Sequence, residues 1–350
     1  LDNDGTDELV LVHEFEGSYR LIIAIPTDTK SSKGDWEILF ELDLKGVRRA
    51  PVAVSELNVF GSGLPGLMLF VPREPPVLLR PVSPAEGFAL EPVATESSIR
   101  ESLLKAITPA ETSVFDVDGD GFNELVVART GFARAFKLVS GDFEMVDQFN
   151  ARRGSDAITA VIPLQTGSEV DGVALYVAEE RELQFLRRDK AGVFRYEESA
   201  KVGRLELQNW YFVPASGGGN DGGYLFAGED RFWYFNSSKH ASTWVVEDIY
   251  ETDLEGIYYS HMLGADFNQD GKLELVALDG NEHVLDILSM NDGEFNSCMF
   301  WQVFEQNMHY QGRTGAKLEP RQMVVDDFTG DGKLDLTLLV HDRILIYPQE

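Results

Sequence analysis

With one cysteine, Cys298, in 350 residues, no intramolecular disulfide framework can hold this chain together. That suits the cytoplasm, or an exported protein stapled by metal instead. No apolar run reaches the roughly 18 residues of a membrane-spanning helix. Basic residues are scarce: 30 Lys and Arg stand against 59 Asp and Glu, a formal net charge of −29 at pH 7. Nucleic-acid binding needs a basic footprint for phosphates, and this balance argues against it. The six histidines are scattered, with no His-x-x-x-His pair and no cysteine partner, which argues against zinc. Ser, His and Asp are all present, but without a nucleophile-elbow motif a hydrolase triad has no support. A sustained apolar period of about 3.6 residues is missing too, apart from a short helical candidate at Glu96–Ala106.

What the chain does have is a loop, Asp116-Val-Asp-Gly-Asp-Gly-Phe-Asn-Glu124, followed at once by Leu-Val-Val-Ala. Acidic side chains fall at loop positions 1, 3, 5 and 9, with Gly121 at position 6. Carboxylates alternating around a tight turn aim several oxygens at one point, which is what a hard cation such as Ca²⁺ requires. Gly121 supplies the backbone freedom for the turn, and the carbonyl of Phe122 at position 7 can join the shell. An EF-hand would need a Glu at position 12, which is Val127, and flanking helices. The flanks Thr-Ser-Val-Phe and Leu-Val-Val-Ala are β-formers, so the loop belongs in a β-hairpin.

The loop recurs at Asp266-Phe-Asn-Gln-Asp-Gly-Lys-Leu-Glu274, at Asp327-Phe-Thr-Gly-Asp-Gly-Lys-Leu-Asp335, and at the start of the chain as Asp2-Asn-Asp4-Gly-Thr-Asp-Glu8. Asp2, Asp118, Asn268 and Thr329 share position 3, and their separations are close to two, three and one units of about 50 to 60 residues. Degenerate copies fill the gaps. Val54 to Phe70, Val161 to Val177 and Trp210 to Phe226 keep a strand-loop-strand outline without the acidic ligands. Seven repeats follow, with bounds near 1–46, 47–107, 108–152, 153–202, 203–254, 255–316 and 317–350.

Within a repeat the pattern predicts four short strands. In the third these are Thr112–Asp116, Glu124–Arg129, Arg134–Val139 and Glu144–Phe149; in the sixth, Tyr258–Gly264, Leu273–Leu278, Val284–Ser289 and Met299–Phe304. Short strands at regular spacing mean a barrel, sandwich or propeller, and repeat count and period select an all-β, seven-bladed β-propeller forming one domain over 1–350. Residues 1–44 supply only the last three strands of a blade, and Arg321–Gln349 only the first three. The expectation is that a longer precursor carries the missing strands, about 20 or more residues before residue 1.

The loop followed by a hydrophobic strand resembles the FG-GAP (VCBS-type) repeat of integrin α-chain heads and many exported bacterial proteins. That resemblance implies a β-propeller with calcium in the hairpin loops of about four blades, two to four ions in all. It implies ligands at Asp116, Asp118, Asp120 and Glu124 with the Phe122 carbonyl. In the sixth repeat it implies Asp266, Asn268, Asp270, Lys272 through its carbonyl, and Glu274. In the seventh it implies Asp327, Thr329, Asp331, the carbonyl of Lys333, and Asp335. In the first it implies Asp2, Asp4, Thr6 and Glu8. Four ions would bring the net charge to about −21, and the remainder reads as a solvated acidic surface that repels anionic membranes.

Other features are weaker. The polar segment Glu305 to Lys317 holds His309, Tyr310, Arg313 and Lys317, which a sugar-acid lyase could use; a solvated loop is the plainer reading. Aromatic runs at Trp210-Tyr-Phe, Phe232-Trp-Tyr-Phe and Phe300-Trp read as packing between blades, with stacking on sugar rings as the alternative. Gly217–Asn220 is a flexible loop and no phosphate cradle, and Asn236-Ser-Ser238 fits a short glycosylation pattern. The expected function is a non-catalytic, calcium-stabilised module that binds a protein or glycan outside the cytoplasm. A polysaccharide lyase and a lectin-like sugar binder are the alternatives.

Overall fold

Strand pairing is local throughout. Short β-forming runs separated by Gly, Asp and Asn fold back on their sequence neighbours, and each sheet lists its strands in chain order. The structure, a computed structural model, describes all residues except 2–7, 28–35, 62, 83–87, 94–99, 140–141, 167–168, 203–206, 208, 214–222, 229–230, 237–245, 252–255, 292–293, 304–318, 341–342 and 350. Its seven antiparallel sheets make the chain an all-β protein of the seven-bladed propeller class. Among the described residues no helix is long and apolar enough to cross a membrane. Within the helical candidate, Arg100–Leu104 forms a single wide helical turn, and residues 94–99 lie outside the described set.

The chain divides into two compact units, Leu1–Arg204 and Leu205–Glu350. In the first unit, blade 1 comprises Leu9–Phe15, Ser18–Pro26 and Trp36–Asp43, and blade 2 comprises Ala53–Leu57, Gly66–Phe70, Val77–Val82 and Ala89–Pro92. Blade 3 comprises Thr112–Phe115, Glu124–Arg129, Phe132–Val139 and Asp142–Asn150. Blade 4 comprises Ile158–Thr166, Glu169–Val177, Glu182–Arg188 and Phe194–Lys201. In the second unit, blade 5 comprises Asn209–Val213, Gly223–Ala227, Arg231–Asn236 and Val246–Glu251. Blade 6 comprises His261–Ala265, Glu274–Asp279, Val284–Asn291 and Glu294–Gln302, and blade 7 comprises Gln322–Asp326, Asp335–Val340 and Arg343–Tyr347.

Burial is graded across each sheet. The second strands Gly66–Phe70, Gly223–Ala227 and Glu274–Asp279 are buried at every position, which explains why Leu67–Phe70, Tyr224–Ala227 and Leu275–Leu278 within them read as unbroken apolar runs and not as alternating ones. The fourth strand Asp142–Asn150 is mostly exposed or half-buried. Within each unit, consecutive blades share cores. Val126, Ala128, Ala133 and Phe149 of blade 3 pack with Ile158, Val161, Val173, Leu175 and Phe194 around blade 4. The Phe149 and Phe194 rings meet edge to face at 4.9 Å. Blades 5 and 6 share Leu225, Phe232, Tyr259, Leu275 and Phe295, and blades 6 and 7 share Val276, Leu278, Leu285, Leu336 and Leu338. Each such Val, Leu, Ile or Phe side chain contributes about 1.5–3 kcal/mol by leaving water.

Two expected strands of the sixth repeat are corrected. Its first strand starts at His261 instead of Tyr258, because the Tyr258 N–H donates to Asp279 Oδ2 at 2.7 Å and not to a ladder partner. Its fourth strand starts at Glu294, well before Met299, since Asn291 pairs with Glu294 across the two-residue Asp292-Gly293 connection. An Asp-Gly pair between apolar runs is a strong hairpin signal.

Gly131 locks the blade 3 hairpin onto the connection that leads into blade 4. It sits at φ 84°, its N–H donates to the Asp156 carbonyl at 2.7 Å, and a Cβ there would lie 2.5 Å from the Gly154 carbonyl oxygen. Gly17 has a similar φ of 78° in a hairpin but open space around it. Gly131→Ala is therefore expected to cost about 2 kcal/mol, against about 1 for Gly17→Ala. Urea unfolding compares the two; equal losses would mean that backbone conformation alone matters and the close approach does not.

Candidate metal centres

The blade 3 loop joins Thr112–Phe115 to Glu124–Arg129, and its side chains first organise the turn itself. Both oxygens of Asp116 accept backbone N–H groups, from Gly119 at 2.7 Å and Gly121 at 2.8 Å. Asp118 accepts from Asp120 N–H at 3.1 Å, and Asp120 from Phe122 N–H at 3.0 Å. Gly119 and Gly121 take φ of 80° and 88°, which glycine adopts without steric cost. These bonds hold Asp116, Asp118 and Asp120 so that one carboxylate oxygen from each lies within 4.8 Å of the others.

Glu124 closes the loop from beneath. It is fully buried, and its Oε2 accepts from Val117 N–H at 2.7 Å. Its Oε1 is buried without a hydrogen-bond partner. Burial, reinforced by the neighbouring Asp118 and Asp116, pushes the Glu124 carboxyl up to about 7, against the opposing effect of the Val117 N–H and Lys137. A bound divalent cation would reverse that balance, so the donor set fits a hard oxygen-seeking metal. Each accepting carboxylate oxygen retains a further lone pair for coordination.

The same hydrogen-bond grammar recurs in blades 6 and 7. Asp266 accepts from Asp270 and Gly271 N–H at 3.0 and 2.9 Å, and Asp327 from Asp331 and Gly332 N–H at 3.0 and 2.8 Å. Asn268 accepts from Asp270 N–H, while Asp270 and Asp331 accept from Lys272 and Lys333 N–H, all at 2.9 Å. Glu274 accepts from Phe267 N–H at 2.9 Å and from the Asn268 side-chain amide at 3.2 Å, and burial raises its pKa. Asp335, fully buried, accepts from Thr329 N–H at 2.8 Å and Gln349 N–H at 3.3 Å. Thr329 Oγ1, at loop position 3, is buried without a partner. The Gln269 side-chain amide donates to the Gly332 carbonyl at 2.5 Å, tying the blade 6 loop to the blade 7 loop.

Of the first loop, Glu8 forms an ion pair with the amino group of Leu1, while Asp2, Asp4 and Thr6 lie outside the described residues. The polar segment Glu305 to Lys317, the loop Gly217–Asn220 and Ser237-Ser238 lie outside them too. Among the aromatic runs, Phe232, Trp233, Tyr234 and Phe235 are buried, and Phe300 is exposed. The Phe232 ring stacks on Tyr250 at 5.6 Å and on Tyr259 at 5.7 Å.

Sequence reading missed Lys137. The hairpin register pairs Leu125 with Phe136, and one step further places Lys137 beside the buried Glu124. Its ammonium pairs with Asp120 and lies 4.0 Å from Glu124 Oε1. The partnership holds Asp120 below the usual carboxylate range and raises the lysine. The signal was there in Thr130-Gly131, a two-residue connection that sets the register.

No family model matches the chain, and no curated protein sequence matches it. Solved structures do resemble it. A Lactobacillus plantarum protein superposes with a TM-score of 0.52 at 12% identity, covering 85% of this chain and 82% of its own. Sqt1 of Saccharomyces cerevisiae gives 0.54 at 9%, covering 95% and 80%. A Bacteroides fragilis protein provisionally assigned as a 6-phosphogluconolactonase gives 0.52 at 12%, covering 86% and 82%. At such identities the likeness is one of fold.

Proposed function

We propose that this chain is a calcium-stabilised β-propeller of the FG-GAP (VCBS-type) kind, serving as a non-catalytic module that binds a protein or glycan outside the cytoplasm. The observation that carries the reading is the buried Oε1 of Glu124, which accepts no hydrogen bond, beneath the clustered carboxylates of Asp116, Asp118 and Asp120. The matching scheme in the blade 6 and 7 loops supports it, as does the buried, unpartnered Thr329 hydroxyl at a ligand position. A metal so placed staples the turn between two strands and leaves the exposed loop tips free to present a surface. Weak oxygen sites fill at the near-millimolar calcium found outside cells, which favours an exported setting. The lectin reading is weakened by the burial of Phe232 to Phe235.

Calorimetric titration of the metal-stripped chain with calcium tests the proposal. Uptake of two to four ions is expected, one per acidic loop. Asp266→Asn should remove one of them; no uptake at all would overturn the reading.

A further inference from the structure

Resting on the calcium reading above, we propose that Lys137 is a built-in competitor for the blade 3 metal, so that this loop binds calcium more weakly than its ligand set implies and fills after the others. By charge count the loop should be the tightest of the three described, since Asp116, Asp118, Asp120 and Glu124 are all acidic, where the others carry Asn268 or Thr329. Yet its loop carboxylates also carry a lysine ion pair, from Lys137. The Lys137 ammonium pairs with Asp120, stands 4.0 Å from Glu124 Oε1, which accepts no hydrogen bond, and lies 5.4 Å from the centre of the exposed Phe122 ring.

The corresponding places in the sister loops carry no positive charge. In blade 6 the residue paired with Glu274 is Ser289. In blade 7 the pairing of Leu336 with Tyr347 brings Pro348 opposite Asp335, and the adjacent Gln349 N–H donates to that carboxylate. A divalent ion entering the blade 3 loop needs Asp120, so it must displace the ammonium or coexist with it at close range. Either costs binding free energy that blades 6 and 7 do not incur. In return, the lysine neutralises part of the repulsion among the carboxylates when calcium is low, so the blade 3 turn keeps its shape without metal.

The consequence is graded occupancy. Blades 6 and 7 hold structural ions over a wide calcium range, and blade 3 responds only as calcium rises further. Titration calorimetry of the metal-stripped full chain with calcium chloride reads this directly, comparing wild type with Lys137→Met and Lys137→Arg. Lys137→Met is expected to tighten the weakest class of site by about tenfold at unchanged stoichiometry, while Lys137→Arg, which keeps the charge, leaves it weak. Lys137→Gln provides a second neutral variant should methionine disturb folding. An unchanged or weakened third site in both neutral variants, with the other sites filling normally, overturns the competitor role and spares the calcium reading. Absence of calcium uptake in wild type and variants alike overturns both.

Discussion

Stripping calcium with excess EGTA near neutral pH is expected to lower the melting temperature by on the order of 10 °C. An ion held at a hundred times its dissociation constant stabilises the native state by about 2.7 kcal/mol, so two or three filled loops amount to about 5–8 kcal/mol. In a chain of this length each kcal/mol moves the midpoint by one to a few degrees. Single ligands apportion the effect. Asp270→Ala removes an oxygen from the blade 6 loop and is expected to give up about one ion's share in calcium, and much less in EGTA, where only the bond to Lys272 N–H is lost. Asp118→Ala should behave likewise in blade 3, with its loss growing as calcium is raised from about 1 to 10 mM. Equal losses in both buffers would show that these side chains serve only the turn, and the metal assignment would fail.

The second large effect is a pH dependence that belongs to Glu124. In the metal-free fold its carboxyl is raised from 4.5 to about 7, chiefly by burial. Below 4.5 it is protonated in folded and unfolded chains alike and carries no penalty. Between the two values the native state holds a proton that the unfolded state has released, so stability falls as pH rises, by at most about 3 kcal/mol once past 7. Glu124→Gln keeps the shape, can still accept from Val117 N–H, and has nothing to ionise. Metal-stripped Glu124→Gln is thus expected to exceed wild type by about 3 kcal/mol at pH 8 and to match it at pH 4.5. In calcium the order reverses, because the amide surrenders a charged ligand. Urea midpoints at the two pH values, with and without calcium, read all four states; a variant no more stable than wild type at pH 8 without metal would mean that Glu124 ionises there at no cost.

The turn glycines and acids of the loops were legible because a tight turn closed by carboxylate–backbone bonds needs both at fixed positions: Gly121, Gly271 and Gly332 each donate an N–H to the first Asp of their own loop. The degenerate blades were legible only through spacing, since Val54 to Phe70 keeps its strands and has lost its ligands. What escaped lies across the strand register. Lys137 is remote from Glu124 in sequence, and only the count back from Thr130-Gly131 sets them side by side. The bond from Gln269 to Gly332 was beyond reach for a different reason: it joins two blades, and a repeat pattern describes each blade alone. Met299 misled because the exposed fourth strand of blade 6 carries Asn296, Ser297 and Cys298, polar or small residues that do not advertise a strand.

Because each sheet is a meander of sequence neighbours, no strand waits for a distant partner in order to pair. Contacts of short sequence separation close quickly, and a nascent chain can complete one sheet while the next is still being made. Sheets made this way can form in order from the N-terminal side, and within each unit the face one leaves bare is covered by the apolar strands of its successor.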